Sequence, residues 1–324
     1  MSESKLNLVF LDTETISPQA GFPEFQFKHN LVTYKTTSIN EVSERISDAH
    51  IVITNKVRIN AEAISAAKKL KLISVAATGV DNIDIEACSN AGVYVCNVQD
   101  YASITVPEHT FSLIFALRRS LFQYHRSVRK GRWQEANQFC YFDYQIKDLS
   151  GSTIGIIGSG SLGTAVAKIA NSLGMKVLFA GRKGAVNCPE PYTPFNEVLR
   201  QSDILTLHCP LTSTTENLIG AQEFEEMVKK PIIINTARGG LIDEAELINA
   251  LNSGKVSGAG LDVTRPEPPE YDSAFMKLAA MDNVIVTPHV GWASEQAVKE
   301  VVKQVELNVH SFVQGNPRNI VNKI

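Results

Sequence analysis

Short apolar runs recur along this chain, separated by stretches of helical spacing. Leu6–Leu11 opens the series, and Ile51–Thr54, Leu72–Ala76 and Val93–Asn97 follow. Asn60–Leu70 and Asp84–Asn90 lie between the last three and read as helices. Runs that are apolar throughout, rather than alternating with polar residues, mark strands covered on both faces. Their alternation with helices predicts a parallel sheet. The first hundred residues thus read as a small α/β unit without a phosphate-binding loop. Thr105–Arg119 follows as a helix: Pro107 suits a first turn, Glu108 the positive end of the dipole, and Arg118 and Arg119 the other end.

The alternation resumes with greater regularity from Gly151. Strands are predicted at Ile154–Ile157, Val177–Ala180, Ile204–Leu207, Ile232–Asn235, Ala259–Val263 and Val284–Thr287. Six such segments match a doubly wound dinucleotide-binding sheet, which makes the chain α/β with two parallel-sheet domains. The tail Ser294–Val313 carries Val298, Val301, Val302, Val305, Val309 and Phe312 at helical spacing and stops before Gly315 and Pro317. It has no partner in the second sheet and is expected to cross back onto the first unit. Lys130–Ser150 is aromatic and aperiodic (Trp133, Phe139, Tyr141, Phe142, Tyr144). It reads as a segment packed on a second subunit or as a long surface connection, the first being favoured.

The most informative stretch is G-S-T-I-G-I-I-G-S-G-S-L-G, from Gly151 to Gly163. A β-branched run enters a G-x-G-x-x-G turn at Gly158, Gly160 and Gly163, and a helical pattern leaves it. Gly158 permits the tight turn, Gly160 allows backbone to approach a pyrophosphate, and Gly163 lets the helix pack close to the strand. The helix start then presents free N–H groups to phosphate. An ordinary tight turn between strand and helix is the bland alternative.

Composition narrows the class without naming a reaction. With 324 residues, 44% of them hydrophobic and a net charge of -3, the chain has room for about two cored domains and no basic footprint for nucleic acid. The N-terminal segment lacks the apolar core of a secretion signal, and no run approaches the roughly 18 residues of a membrane span. Cys88, Cys96, Cys140, Cys188 and Cys209 form no C-x-x-C pair, so reduced thiols in a cytoplasmic protein and no metal site are expected.

In open α/β sheets the loops at the carboxyl ends of strands face the ligand. Here the A-T-G-V-D loop (Ala77–Asp81) follows an early strand, Arg238 lies in T-A-R-G-G, Glu267 in R-P-E-P-P, and His289 in P-H-V-G-W. An arginine fork binds a carboxylate bidentately, a histidine can give a proton to a nascent alkoxide, and a nearby carboxylate favours its charged form. Singly, each of the three is more often a surface charge or a structural group. Beside a nucleotide loop, together they suit two-electron reduction of a 2-keto acid.

These runs, with H-C-P-L-T (His208–Thr212), I-N-T-A-R-G-G-L-I-D (Ile234–Asp243), A-T-G-V-D-N-I-D (Ala77–Asp84) and T-V-P-E-H-T (Thr105–Thr110), resemble the D-isomer-specific 2-hydroxyacid dehydrogenases over nearly the whole chain. Q-F-C-Y-F-D-Y (Gln138–Tyr144) and Y-T-P-F-N-E-V-L (Tyr192–Leu199) narrow the likeness to the bacterial glycerate dehydrogenases, or hydroxypyruvate reductases. The resemblance implies a Rossmann cofactor domain (residues 102–289) inserted into a flavodoxin-like substrate domain (1–101 and 290–324). Arg238 would anchor the substrate carboxylate, His289 act as acid/base, and Glu267 support its protonated form. Gly79 and Val80 would offer backbone N–H groups to the carboxylate, and Trp292 would wall the pocket. Beside the glycines, Thr105, Ser161, Leu162, Cys209, Pro210, Thr215, Thr236, Ala237, Asp262, His289 and Gly291 match cofactor-contacting positions. A homodimer is implied as well.

One position departs from the NAD-type pattern. No acidic residue stands near the end of Val177–Ala180 to hold the ribose 2′-hydroxyl; Gly181, Arg182 and Lys183 follow instead. Arg182 and Lys183 could meet a 2′-phosphate, or be solvated charges. The expectation is NAD(P)(H), with NADPH modestly favoured over NADH, and a small 2-keto or 2-hydroxy acid as substrate, hydroxypyruvate/D-glycerate or glyoxylate/glycolate. Two alternatives share the fold: a formate or phosphite dehydrogenase, against which the Arg238–Glu267–His289 set speaks, and a nucleotide-sensing interaction protein of the C-terminal binding protein type. The last is ranked low because the chain ends soon after its final helix.

Overall fold

The computed structural model describes residues 5–16, 20–185 and 187–324. The fold divides into two units, Met1–Ala102 with Ala293–Ile324, and Ser103–Trp292. The first holds β1 (Leu6–Phe10), β2 (His29–Thr33), β3 (Ile51–Thr54), β4 (Leu72–Val75) and β5 (Tyr94–Cys96), all parallel, in the order β2-β1-β3-β4-β5. Alternate residues go to opposite faces of a strand. Val9, Val52, Ile73 and Val95 pack beneath the helices Val42–Ile46, Ala61–Ala66 and Ile85–Asn90. Leu8, Ile51, Leu72 and Cys96 face the other way, against Val309 and Phe312 of the helix Glu295–Val313. The C-terminal helix therefore closes the first sheet, as its lack of a partner in the second implied. Ser294 starts it by accepting the Ala297 N–H at 3.2 Å.

β2 was not legible in the sequence. H-N-L-V-T carries only two apolar residues and forms an edge strand largely open to water, so no burial pattern marks it. Buried Asp12, just past β1, accepts the N–H groups of Asn55 and Lys56 at 2.9 and 2.6 Å and ties together the ends of β1 and β3.

The second unit holds β6 (Thr153–Ile157), β7 (Lys176–Ala180), β8 (Tyr192–Thr193), β9 (Ile204–Leu207), β10 (Ile232–Asn235), β11 (Gly258–Leu261) and β12 (Val284–Val286). Among the described residues they form a seven-stranded parallel sheet, β12-β11-β10-β9-β6-β7-β8. The order reverses between β6 and β9, the crevice where such sheets take a dinucleotide. β8 adds a seventh strand to the six expected; two residues are too few to leave a periodic signal. Helix Thr105–Arg118 lies on one face, placing Phe111, Leu113 and Ile114 against Ile154, Ile156, Ile204 and Ile234.

The aromatic stretch is more ordered than its aperiodicity suggested. Leu121–Arg129 is a helix, and Arg132–Ala136 within the supposed loop is another. The Tyr124 ring meets Tyr141 and Tyr144 at 5.6 and 5.1 Å, and Arg132 grips Asp143 with two hydrogen bonds. Phe139 and Phe142 remain 89% and 86% exposed. No helix, among the described residues, is long and apolar enough to cross a membrane.

Candidate active site

The glycine turn is shaped as its spacing required. Gly158 sits at φ +107, and a Cβ there would lie 2.5 Å from the His208 carbonyl oxygen; one on Gly163 would lie 1.9 Å from the Gly158 carbonyl. Gly160 faces open space and opens the helix Ser161–Ser172 with no side-chain cap. The first N–H groups of that helix, at Ser161, Leu162 and Gly163, thus meet no side chain from the cap residue. This fits a dinucleotide pyrophosphate.

Opposite it, β9 ends at Leu207, and the N–H of His208, the next residue, donates to the Ile157 carbonyl at 2.7 Å. The residue is half-buried, with Nε2 2.9 Å from Thr206 Oγ1. Burial pushes its pKa down to about 4. In the unfolded chain the value is about 6.5, so between those limits the unfolded state binds the extra proton. Stability is full above pH 6.5 and is lost as pH falls towards 4, by about 3 kcal/mol at 1.36 kcal/mol per unit. Urea midpoints from pH 7.5 to 4 should therefore fall more steeply for the native chain than for His208→Asn. Parallel curves would remove His208 from the acid sensitivity. Along the same loop, Cys209 is half-buried, and Thr215 donates to the Pro210 carbonyl and accepts the Thr212 N–H, both at 2.7 Å.

The three charged residues stand on the ends of three adjacent strands. After β10, buried Asn235 shapes the turn: its Oδ1 accepts the Ala237 N–H at 3.0 Å and its amide donates to the Arg238 carbonyl at 2.9 Å. Arg238 Nη1 donates to the Ala237 carbonyl at 2.8 Å. Gly239 is required by close approach, since a Cβ there would lie 2.1 Å from the Thr264 carbonyl carbon. The Arg238 loop is thereby pressed against the loop that carries Glu267. Glu267 Oε1 accepts the Thr264 N–H at 3.2 Å, and Oε2 lies 2.8 Å from His289 Nδ1. Residues 22 positions apart in the chain are thus in direct contact. His289 occupies the left-handed region at φ +54 and donates its N–H to the Asp262 carbonyl at 2.8 Å.

Several positions expected to touch cofactor are engaged within the protein. Both Asp262 oxygens are occupied: Oδ1 accepts the Thr287 hydroxyl at 2.6 Å and the Val290 N–H at 2.9 Å, and Oδ2 accepts the Gly291 N–H at 2.8 Å. Burial alone would raise its pKa, yet these bonds and His109 hold the carboxyl below its ordinary value. Thr105 donates to the Gly291 carbonyl at 3.1 Å, and Thr236 meets Thr110 at 3.1 Å. At the end of β7, Arg182 is exposed, while Lys183 pairs with Glu223 at 2.7 Å and reaches the Leu218 carbonyl. Trp292 closes the second unit. Gly79 and Val80 belong to the first unit, in the loop after β4; Thr78 pins that loop through the Val98 carbonyl and Asn97.

A doubly wound sheet with a phosphate cradle at its crevice, and an Arg, a Glu–His pair and their supports on neighbouring strand ends, defines a nucleotide-dependent α/β enzyme class. Residues 111–291 match the model of a family described as D-isomer specific 2-hydroxyacid dehydrogenase, NAD binding domain. A glycerate dehydrogenase of Methylorubrum extorquens is 46% identical over 97% of this chain and 98% of its own length. A hydroxypyruvate reductase of Blautia hydrogenotrophica is 34% identical over 98% of this chain and all of its own. The crystal structure of a D-lactate dehydrogenase from Aquifex aeolicus, complexed with NAD and lactic acid, superposes with a TM-score of 0.82 at 28% identity, covering 98% of this chain and 99% of that one. The chain belongs to the D-isomer specific 2-hydroxyacid dehydrogenase family and is a hydroxyacid oxidoreductase. The supports of the site, Asn235, Thr287 and His109, had no individual signal in the sequence. Each is polar at a position where only its contacts give it meaning.

Proposed function

We propose that this protein reduces hydroxypyruvate to D-glycerate, and glyoxylate to glycolate, with NAD(P)H. The observation that carries the reading is the 2.8 Å contact of His289 Nδ1 with Glu267, one strand end away from Arg238. Arg238 holds the substrate carboxylate with its planar fork. Glu267 keeps the proton on His289 Nδ1, so Nε2 is the atom that gives its proton to the alkoxide as it forms. The reaction leaves a neutral imidazole still bonded to Glu267. A bound nicotinamide would supply the hydride, its pyrophosphate held by Gly158–Gly163. The roles of Gly79 and Val80 at the carboxylate and of Trp292 as a wall rest on family resemblance. On the same basis Met1–Ala102 with Ala293–Ile324 is read as the substrate domain. The names of the relatives, at 46% and 34% identity, support the choice of hydroxypyruvate. The exposed Phe139 and Phe142 support a homodimer, and the free cysteines a cytoplasmic setting.

For coenzyme choice the proposal is NADPH with a modest preference over NADH. A Cβ at Gly181 would lie 2.4 Å from Cys188 Sγ, so an acidic ribose ligand cannot be seated there without displacing that thiol. Exposed Arg182 is next in the chain. A charged hydrogen bond contributes about 1.5–3 kcal/mol, roughly 10- to 150-fold. Initial rates with hydroxypyruvate, glyoxylate and pyruvate, each with NADH and NADPH, test the whole reading. No reduction of any of these acids would overturn it. Arg182→Ser should erase the NADPH advantage and leave NADH rates within about twofold. An unchanged coenzyme ratio places Arg182 in solvent.

A further inference from the structure

His109 lies on the helix Thr105–Arg118, outside the three strand-end loops, yet its ring reaches their supports. Nε2 is 3.0 Å from Thr287 Oγ1 and 3.5 Å from Asp262 Oδ1. A proton inventory sets the direction of the chain. An ionised carboxylate only accepts, and the single hydroxyl proton of Thr287 is spent on Asp262 at 2.6 Å. Toward His109 the Thr287 oxygen can therefore only accept, and Nε2 must carry a proton. The series is His109 Nε2–H to Thr287 Oγ1–H to Asp262 Oδ1.

Asp262 in turn fixes both sides of His289. Its carboxylate holds the N–H groups of Val290 and Gly291, and its own carbonyl holds the N–H of His289. That carbonyl bond matters because His289 sits at φ +54, a conformation disfavoured for a residue with a side chain and kept only when its surroundings over-determine it. Gly291 is shaped to the same device: a Cβ there would lie 2.8 Å from Asp262 Oδ2 and 3.1 Å from the His109 ring. One helix thus grips the segment that aims His289, through His109 at Thr287 and Thr105 at Gly291.

We propose that His109 is a positioning residue for the reaction: through Thr287 and Asp262 it holds the His289 turn in the geometry that delivers the proton. This rests on the reading of His289 as the acid. Displacing a reacting group by about 1 Å can lower the rate 100-fold, which sets the scale. His109→Phe keeps the ring volume and removes the donor; His109→Gln keeps a donor near the Nε2 position. His109→Phe should lower kcat about 10- to 100-fold, and His109→Gln should recover most of it. The dissociation constant for NADPH, read by fluorescence titration without keto acid, should stay within about twofold of the native value, and the melting temperature should scarcely move. Thr287→Val should act on kcat as His109→Phe does, and the double variant should be no worse than the poorer single one, because both break one series. His109→Phe with near-native kcat overturns the proposal. So does a loss of kcat that tracks lost coenzyme affinity and melting temperature, or losses that multiply in the double variant. His289→Gln, assayed alongside, separates the two ideas: near-native turnover there would sink the acid assignment itself.

Discussion

His289→Gln is expected to lower the turnover of keto-acid reduction by roughly 10²–10⁴-fold, the range that general acid catalysis supplies. Glutamine can still meet Glu267, so the turn held by Asp262 survives; what is lost is a group able to release a proton at Nε2. The effect should fall on kcat, with the keto-acid KM changed far less, because the carboxylate is assigned to Arg238 rather than to the histidine. Stopped-flow single turnovers with NADPH and hydroxypyruvate would isolate the chemical step. Near-native single-turnover rates would mean that water or another group supplies the proton.

The second large effect is expected from Arg238→Lys. Lysine keeps the positive charge but has no planar fork, and it would also lose the Nη1 bond to the Ala237 carbonyl that orients the side chain. Loss of one charged hydrogen bond, about 1.5–3 kcal/mol, predicts a fall in kcat/KM for the keto acid of roughly 10- to 150-fold. Coenzyme affinity should be nearly unchanged. A matching loss of NADPH binding would instead make Arg238 part of the coenzyme site. Because Gly239 packs against Thr264 and Thr264 binds Glu267, a larger residue at 239 would disturb Arg238 and Glu267 together.

Both residues were singled out as candidates from sequence because their neighbourhoods carry strong local signals. Apolar runs such as I-I-I-N and V-I-V end three residues before Arg238 and His289, and a parallel sheet puts those ends on one edge. The glycine turn was legible for the same reason: the spacing of Gly158, Gly160 and Gly163 reflects close approaches that any side chain would block. Lys183 was a different case. Beside Arg182 it could meet a 2′-phosphate or be a solvated charge; its pairing with Glu223, 40 residues away, was not foreseen. A pairing at that separation leaves no trace in the order of residues.

The sequence by itself determined the parallel strands, the glycine turn, the strand ends carrying Arg238, Glu267 and His289, and the return of the last helix to the first sheet. Each follows from burial periodicity or from glycine sterics, which act over a few residues. Only the tertiary structure decided which polar groups hold which. The contact of Glu267 with His289, the saturation of Asp262 by Thr287, Val290 and Gly291, and the reach of His109 into that group all join separate elements. A hydrogen bond needs its donor and acceptor within about 3 Å and aligned. Such alignment across elements depends on how helices and strands pack, and local pattern carries no record of it.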